Sequence, residues 1–375
     1  MNLVGKSVLL TTGHKRIGSG GSMQLFLLAR SLTSAGAKVH ALFAEQPAQS
    51  IAQRNLQILK DLGLSLHFFK PSRWYSPFQI FKMRKLLAAS RFDIVHTHKG
   101  GDLSLVLLAS AGLKIPALVN TRGVNFPLGL NRFKYNFPKL DRIIVVSENI
   151  KRVMTDCGVR ADKIRVIYGG VDTQRFAPMP EKRSIMRKSL DLKEDATACL
   201  VVANFVRQKG HGDYLKAAAM LSDKFPRLVH LFAGKGDTTA FQREATKLGI
   251  EDRVRFLGFR TDVEDIFSAV DFSAVSSFAG EGVSGVLRES MACGVPVITT
   301  DVGGNAELVR HEEYGLVTPM KDPAALAVAM ERMITDHALR RKLEEKGLKL
   351  VREHHSATAR AKKTFALYEE ILSGQ

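Results

Sequence analysis

The sequence predicts an α/β fold, with two parallel-sheet domains in series, and three observations predict it. A chain of 375 residues exceeds the roughly 250 to 300 residues at which single cores stop growing. Short β-rich apolar runs alternate with helix-length amphipathic segments along most of its length, the pattern of parallel sheets covered by helices. Near the middle, Gly, Pro and polar residues cluster in GGVDTQRFAPMPEK (169–182) and interrupt the alternation.

In the first half the strand candidates are SVLLTT (7–12), KVHALF (38–43), DIVHTH (93–98), PALVNT (116–121) and DRIIVVS (141–147). In the second they are ACLVVAN (198–204), VHLFAGK (229–235), RVRFLG (253–258), DFSAVSS (271–277) and VPVITT (295–300). The first intervening helix, SMQLFLLARSLTSAG, ends at Gly36, where a C-cap belongs. At the other end, Phe365, Leu367, Tyr368, Ile371 and Leu372 have helical spacing. The expected division is 1–172, 173–355 and a closing helix, 356–375, that packs back toward the first domain.

No apolar run reaches the roughly 18 residues of a spanning helix, and Lys6 interrupts the opening too early for a secretory segment. The expectation is a soluble cytoplasmic protein. Cys157, Cys199 and Cys293 are scattered, which argues against a disulfide framework or a structural zinc site. Charge is divided unevenly. Residues 1–175 hold 26 Lys+Arg against 9 Asp+Glu, while the remaining 200 hold 29 against 28. The asymmetry points to an anionic partner for the first half: a lipid surface, a phosphorylated acceptor or nucleic acid.

Five stretches carry the chemistry. HKRIGSGGSMQ (14–24) is a glycine-rich loop opening a helix, suited to a phosphate. Glu45 sits where a dinucleotide fold keeps its ribose acid, but Gly18, Gly20 and Gly21 do not follow the strand directly and Met23 replaces the third glycine. A phosphate or sugar-phosphate contact fits better than a nicotinamide site, and a plain flexible loop is the alternative. In FDIVHTHKGGD (92–102), His96 and His98 share a strand face at its carboxyl end, with Asp102 a contact for acceptor hydroxyls. Two such histidines begin a zinc site, but no third ligand sits nearby.

KPSRWYSPFQIFKMRKLLAASRF (70–92) interleaves basic residues with Trp74, Tyr75, Phe78, Phe81 and Phe92. It reads either as a helix for an anionic membrane interface or as a crossover helix with its stripe in the core. VVANFVRQKGHGDYLKAAAML (201–221) puts Arg207 and Lys209 just before a helix, where cation and dipole jointly face a diphosphate. In EGVSGVLRESMACGVPVI (281–298), Glu281 precedes a helix through Gly282, Ser284 and Gly285, and Glu289 lies within it. Paired carboxylates serve a glycosidase as acid and nucleophile, or hold sugar hydroxyls. A second glycine turn follows in DVGGNAELV (301–309).

Taken in order, SGGSMQ, FDIVHTH, DRIIVVSE, VIYGGVDTQRF, VRQKG, RVRFLGFRTDV, E-x(7)-E and MACGVPVITTDVGGNAELV resemble the retaining, nucleotide-sugar-dependent glycosyltransferases of family four over nearly the whole chain. The resemblance implies a GT-B fold, two Rossmann-like domains facing across a cleft. It also implies that Glu281 binds donor-sugar hydroxyls, that Glu289 binds the nucleotide ribose, and that backbone N–H groups of Gly282, Val283 and Ser284 help hold the sugar. Lys209 would face the diphosphate, Phe259 and Arg260 would border the base, and Gly20 and Gly21 would approach the donor phosphate.

Two departures stand out. Asn204 occupies a position where many members carry arginine, which leaves either Arg207 to supply charge or a weaker diphosphate site. NTRGVNF, with Arg122 and Gly123, replaces a histidine that contacts the sugar, so Arg122 is read as a contact for phosphate or an acidic acceptor. His98, Asp102 and Arg122 are the candidates on the acceptor or sugar side. With no D-x-D triplet, no metal and no cofactor are expected; the donor is a substrate. The expected partners are a nucleotide sugar, a glycan or lipid-linked acceptor of the cell envelope, such as a lipopolysaccharide core, and an anionic membrane surface at the inner face of the cytoplasmic membrane. The alternatives are a glycoside hydrolase or phosphorylase on a similar fold, and a basic nucleic-acid-binding protein. A hydrolase needs carboxyls on opposite sides of the bond, whereas Glu281 and Glu289 come from one loop-helix unit. For nucleic acid no binding module is visible.

Overall fold

The computed structural model describes residues 3–13, 20–43, 50–69 and 76–374. Gly18, Glu45, Trp74 and Tyr75 lie outside them. The chain divides into unit 1, Met1–Gly170 with Ala357–Gln375, and unit 2, Val171–Ser356.

Unit 1 contains strands β1 (Ser7–Thr12), β2 (Lys38–Phe43), β3 (Ser65–Phe68), β4 (Ile94–Thr97), β5 (Ala117–Arg122), β6 (Arg142–Val145) and β7 (Ile164–Val166), in the order β3-β2-β1-β4-β5-β6-β7. Unit 2 contains β8 (Thr197–Val202), β9 (Leu228–Ala233), β10 (Val254–Gly258), β11 (Phe272–Val275), β12 (Val297–Thr300) and β13 (Leu316–Thr318), in the order β10-β9-β8-β11-β12-β13. All these pairings are parallel. Helices cover both faces of such sheets, which is why the central strands read as continuous apolar runs. Five of the six residues of β1 are buried. In each sheet the winding reverses beside the first strand, between β1 and β4 and between β8 and β11. A crevice for ligands opens outside the carboxyl ends at such a switch point.

The helix Gly20–Ser34 buries Leu25, Phe26, Leu28, Ala29 and Leu32 against the sheet. It stops at Gly36, whose φ of +82° lets Gly36 N donate to Thr33 O (2.9 Å) and Ala37 N to Leu32 O (3.1 Å). The helix Pro77–Ser90 starts from Ser76, whose Oγ accepts Gln79 N at 3.3 Å. Gln79, Met83 and Leu87 form its buried face, so the stripe is core as in a crossover helix, while Phe78 and Phe81 are exposed.

The closing helix, Ala357–Ser373, belongs to unit 1. Phe365, Leu367 and Ile371 join its core. Tyr368 is fully buried, with its hydroxyl 2.6 Å from His96 Nδ1, and His96 Nε2 lies 2.7 Å from Thr121 Oγ1. Glu370 receives Arg142 (2.9 Å) and Arg165 (3.1 Å), which fastens the helix beside β6 and β7. His96 is therefore fully engaged within the domain. Among the described residues no helix is long and apolar enough to cross a membrane. Cys199 and Cys293 are buried, and burial pushes both thiols up to about 12, where they are inert.

Candidate active site

In unit 2 two loops meet at the switch point. After β8 the chain turns through a 3₁₀ turn, Arg207–Lys209, into Gly210, whose φ is +69°. A Cβ there would stand 1.9 Å from Ser276 O, so only glycine allows the loop to lie against the one that follows β11. Ser276 Oγ donates to Lys209 O (3.0 Å), and Phe278 N donates to Gln208 O (2.9 Å). The contact brings Lys209 Nζ onto Glu281 Oε1 as an ion pair, and Ser277 Oγ donates to the same oxygen at 2.9 Å. Glu281 is only 7% exposed. Val202, Ala203, Ser276, Ser277 and Ser284 line the cleft around the pair.

The glycine turn after β12 braces this arrangement. Gly303 has φ +57°, and a Cβ on it would come 2.1 Å from Glu281 O. Gly304 N donates to Gly282 O at 2.7 Å. Asn305 Oδ1 accepts Ser284 N (2.9 Å), and its Nδ2 donates to Thr299 Oγ1 (3.0 Å). Of the three backbone N–H groups expected to hold a sugar, that of Ser284 is therefore already occupied. Those of Gly282 and Val283 belong to the loop that the glycine turn supports. Sequence reasoning passed over Ser277 and Asn305. The signal for Ser277 was positional, just past the end of β11 at the switch point, while Asn305 opens a short helix in the glycine turn after β12.

Ser284 leads into the helix Gly285–Ala292. Side chains on a helix lean toward its N-terminus, and Glu289 does so, with Oε1 3.8 Å from where a Gly285 Cβ would stand. Burial raises its carboxyl pKa, opposed by the Arg288 and Arg175 charges. Arg175 itself grips Glu264 with two bonds of 2.9 and 2.7 Å. Arg288, another residue that sequence reasoning passed over, is buried among apolar neighbours on the same helix, and burial lowers its guanidinium pKa to about 10.

Beyond β10, Phe259 is half exposed with the Lys235 ammonium 3.8 Å from its ring centroid. Arg260 is tied to Asp262 by bonds of 2.8 and 2.5 Å. Asn204 and Arg207 are exposed, and the Asn204 carbonyl lies 3.1 Å from His211 Nε2.

The candidates in unit 1 lie differently. Gly20 and Gly21 are exposed at the start of their helix. Asp102 is 2% exposed, and its Oδ2 accepts Gly13 N at 2.9 Å, joining the loop after β1 to the helix after β4. Burial pushes the Asp102 carboxyl up to about 7 against the pull of Lys99 and Lys134. His98 is buried as well; its ring stacks on that of His96, centroids 4.3 Å apart, and its backbone N–H donates to Thr11 O at 2.9 Å. Asp102 and His98 thus knit β1 to β4. Arg122, at the end of β5, donates to Phe126 O and to Tyr135 Oη (3.5 Å).

Comparison with known proteins fixes the class. Residues 182–350 match the model of Glycosyl transferases group 1, and residues 18–175 match that of Glycosyltransferase Family 4. The putative glycosyltransferase EpsD of Bacillus subtilis (strain 168) is 30% identical over 287 residues, 72% of this chain and 74% of that one. The lipopolysaccharide core biosynthesis glycosyltransferase LpsE of Rhizobium meliloti (strain 1021) is 30% identical over 224 residues, 60% of this chain and 61% of that one. Among solved structures, Anabaena Alr3699/HepE in complex with UDP and glucose has a TM-score of 0.83 at 20% identity, over 96% of this chain and 98% of that one, a likeness of fold. Two doubly wound parallel sheets of this kind define the GT-B class. Within that class the chain belongs to the family-4 glycosyltransferases.

Proposed function

We propose that the chain is a retaining glycosyltransferase that moves a sugar from a nucleoside-diphosphate sugar to a hydroxyl of a glycan or lipid-linked acceptor, in the synthesis of a cell-envelope polysaccharide or lipopolysaccharide. The observation that carries this reading is the Lys209–Glu281 pair at the unit 2 switch point, held by three loops. A cation and a hydroxyl-accepting carboxylate side by side match the two ends of a sugar diphosphate. The UDP and glucose bound by the Anabaena relative and the core-biosynthesis role of the Rhizobium relative support it.

In the proposed reaction the bond between the sugar anomeric carbon and the diphosphate oxygen breaks. The acceptor oxygen bonds to that carbon from the same face, and the acceptor proton passes to the departing phosphate oxygen. Lys209, with Arg207 and the N-terminus of the helix His211–Met220, stabilises the charge that develops on the leaving diphosphate. The pair already holds Lys209 oriented, so little reorganisation accompanies the charge transfer. Glu281 takes sugar hydroxyls, Glu289 the ribose, and the Phe259 ring the base, with Asn204 and Arg260 at the margins. Gly20 and Gly21 offer backbone N–H groups to phosphate, and Arg122 meets an anionic acceptor. His98 and Asp102 act on the acceptor side by shaping the loop above β1. The chain has no D-x-D triplet, so the proposal assigns the neutralising charge to these side chains, without a metal. We place the enzyme in the cytoplasm, peripheral on the inner face of the membrane.

A thermal-shift panel of nucleoside-diphosphate sugars in EDTA tests donor and metal independence together. A true donor at 100 times its dissociation constant adds about 2.7 kcal/mol. Glu289→Ala should remove most of that shift; an unchanged donor affinity refutes the ribose assignment. The anomeric configuration of the product, read by NMR, tests retention.

A further inference from the structure

We propose that residues 124–137 of unit 1 form the surface by which this enzyme docks on an anionic lipid bilayer, with Phe126, Leu130, Phe133 and Phe137 entering the headgroup layer. The proposal rests on the lipid-linked acceptor reading above and adds to it a segment that the sequence patterns did not single out.

Over fourteen residues this segment exposes Val124, Phe126, Leu130, Phe133 and Phe137, with Leu130 at 83% and Phe133 at 61%. Contiguous apolar exposure of this kind marks an interaction site rather than ordinary surface. The segment is also pinned so that these side chains cannot turn inward. Leu128 and Tyr135 are its buried anchors. Lys134 Nζ donates to Gly100 O at 2.9 Å, Asn136 Nδ2 donates to Gly158 O at 2.7 Å, and Asn136 Oδ1 accepts Arg160 N at 3.0 Å. A 3₁₀ turn, Gly129–Asn131, runs into the short helix Arg132–Tyr135. Leu130 and Phe133 are exposed within this turn and helix, Phe137 just after it, while Tyr135 is buried.

Charge decides the partner. From Leu103 to Leu140 the sequence contains no Asp or Glu across 38 residues, and it contains Lys114, Arg122, Arg132, Lys134 and Lys139. The Arg132 guanidinium lies 5.2 Å from the Phe133 ring centroid, so cation and apolar ring present together. Basic residues around exposed aromatics suit the boundary between anionic headgroups and acyl chains. Stacked bases would use the aromatic rings but would leave the aliphatic Val124 and Leu130 without a partner. Position agrees as well, because the segment follows β5 at the carboxyl end of its sheet, the end at which an acceptor is expected. The helix Pro77–Ser90 exposes Lys82, Arg84 and Lys85 but only two large apolar side chains, Phe78 and Phe81, and spends its other face on the core, so it is the lesser contributor.

The test is vesicle flotation of the full chain with phosphatidylglycerol–phosphatidylcholine vesicles and with pure phosphatidylcholine vesicles. The wild type should float with the anionic vesicles only. A combined Phe126→Ser, Leu130→Ser, Phe133→Ser, Phe137→Ser variant should lose binding by about tenfold or more. Phe78→Ser with Phe81→Ser should lose less. All the replaced residues are exposed, so an unchanged melting midpoint shows that each variant is folded. Binding that survives the fourfold substitution, or is equal on neutral vesicles, overturns the proposal. So does a wild type that ignores vesicles but sediments as a dimer which the same substitution dissociates. Donor-induced thermal shift is a separate readout: its absence in the wild type counts against sugar transfer and leaves the vesicle result standing.

Discussion

In unit 2 the loops after β8 and β11 set Lys209 against Glu281, whereas in unit 1 the loops after the corresponding strands, β1 and β4, set Asp102 against the backbone of Gly13. The strand order is the same up to the last strand of the larger sheet. One switch point pairs two opposite charges; at the other a buried acid takes a backbone N–H. The overall charges diverge too. Unit 1 has 28 Lys+Arg against 10 Asp+Glu, a balance of +18, and unit 2 has 27 against 27. Unit 2 therefore carries a local arrangement whose charges cancel at a distance, while unit 1 carries a net charge whose field reaches about a Debye length, roughly 10 Å in 0.1 M salt. One topology supports either mode because recognition resides in the loops.

Breaking the pair in unit 2 should have the largest effect. Lys209→Ala is expected to lower the rate of sugar transfer by about 10²–10³-fold, as the loss of a preorganised charge partner does. A loss below tenfold in turnover of the nucleotide sugar would remove the switch point from the chemistry. The anchor of unit 1 comes next. Tyr368→Phe leaves buried His96 Nδ1 without its partner and should cost about 1–3 kcal/mol in urea denaturation. The donor-induced thermal shift should stay close to that of the wild type, since the proposed donor side chains Lys209, Glu281 and Glu289 belong to unit 2. A Tyr368→Phe variant with weakened donor binding would show that the two units are less separable than their cores suggest.

The smallest effect sharpens the contrast at Asp102. Its carboxyl is raised from 3.8 to about 7 by burial, so the folded chain holds that proton more tightly than the unfolded chain. The stability from this group is complete below about pH 4 and is lost as pH rises through about 7. Asp102→Asn keeps an oxygen for Gly13 N–H and carries no charge. Its melting midpoint should gain on the wild type between pH 4 and pH 8. A difference that stays flat with pH would mean that Asp102 ionises without penalty.

Ten of the thirteen strands among the described residues were legible in the sequence, and the three missed ones share a cause. SLHF, IRV and LVT are β3, β7 and β13, three or four residues long, and each lies at a sheet edge. An edge strand pairs on one side only, so it needs neither the length nor the apolar content that marks a central strand. Several of the recognised strands were drawn too long at their carboxyl ends. DFSAVSS ends as a ladder at Val275, and ACLVVAN at Val202. The residues wrongly included, Ser276, Ser277, Ala203 and Asn204, are those that leave the sheet to build the candidate site. Their side chains do not betray the departure, because the loops are fixed by contacts between residues far apart in sequence. The Lys209–Glu281 pairing was hidden for the same reason, as was the capture of Ser284 N by Asn305. The individual carboxylates, the lysine and the glycine turns were visible; their mutual engagement was not.

The chain leaves unit 1 at Gly170 and re-enters it at Ala357, and Val171 pairs with Ser356 where unit 2 begins and ends. Unit 2 is thus an uninterrupted insert. During synthesis it can complete its core while unit 1 still waits for its last helix. Until Tyr368 and Glu370 emerge from the ribosome, His96, Arg142 and Arg165 lack the partners they hold in the finished domain. Translation stopped short of that helix would leave a well-formed unit 2 attached to an unsealed unit 1. The final helix therefore makes the N-terminal domain the last to mature.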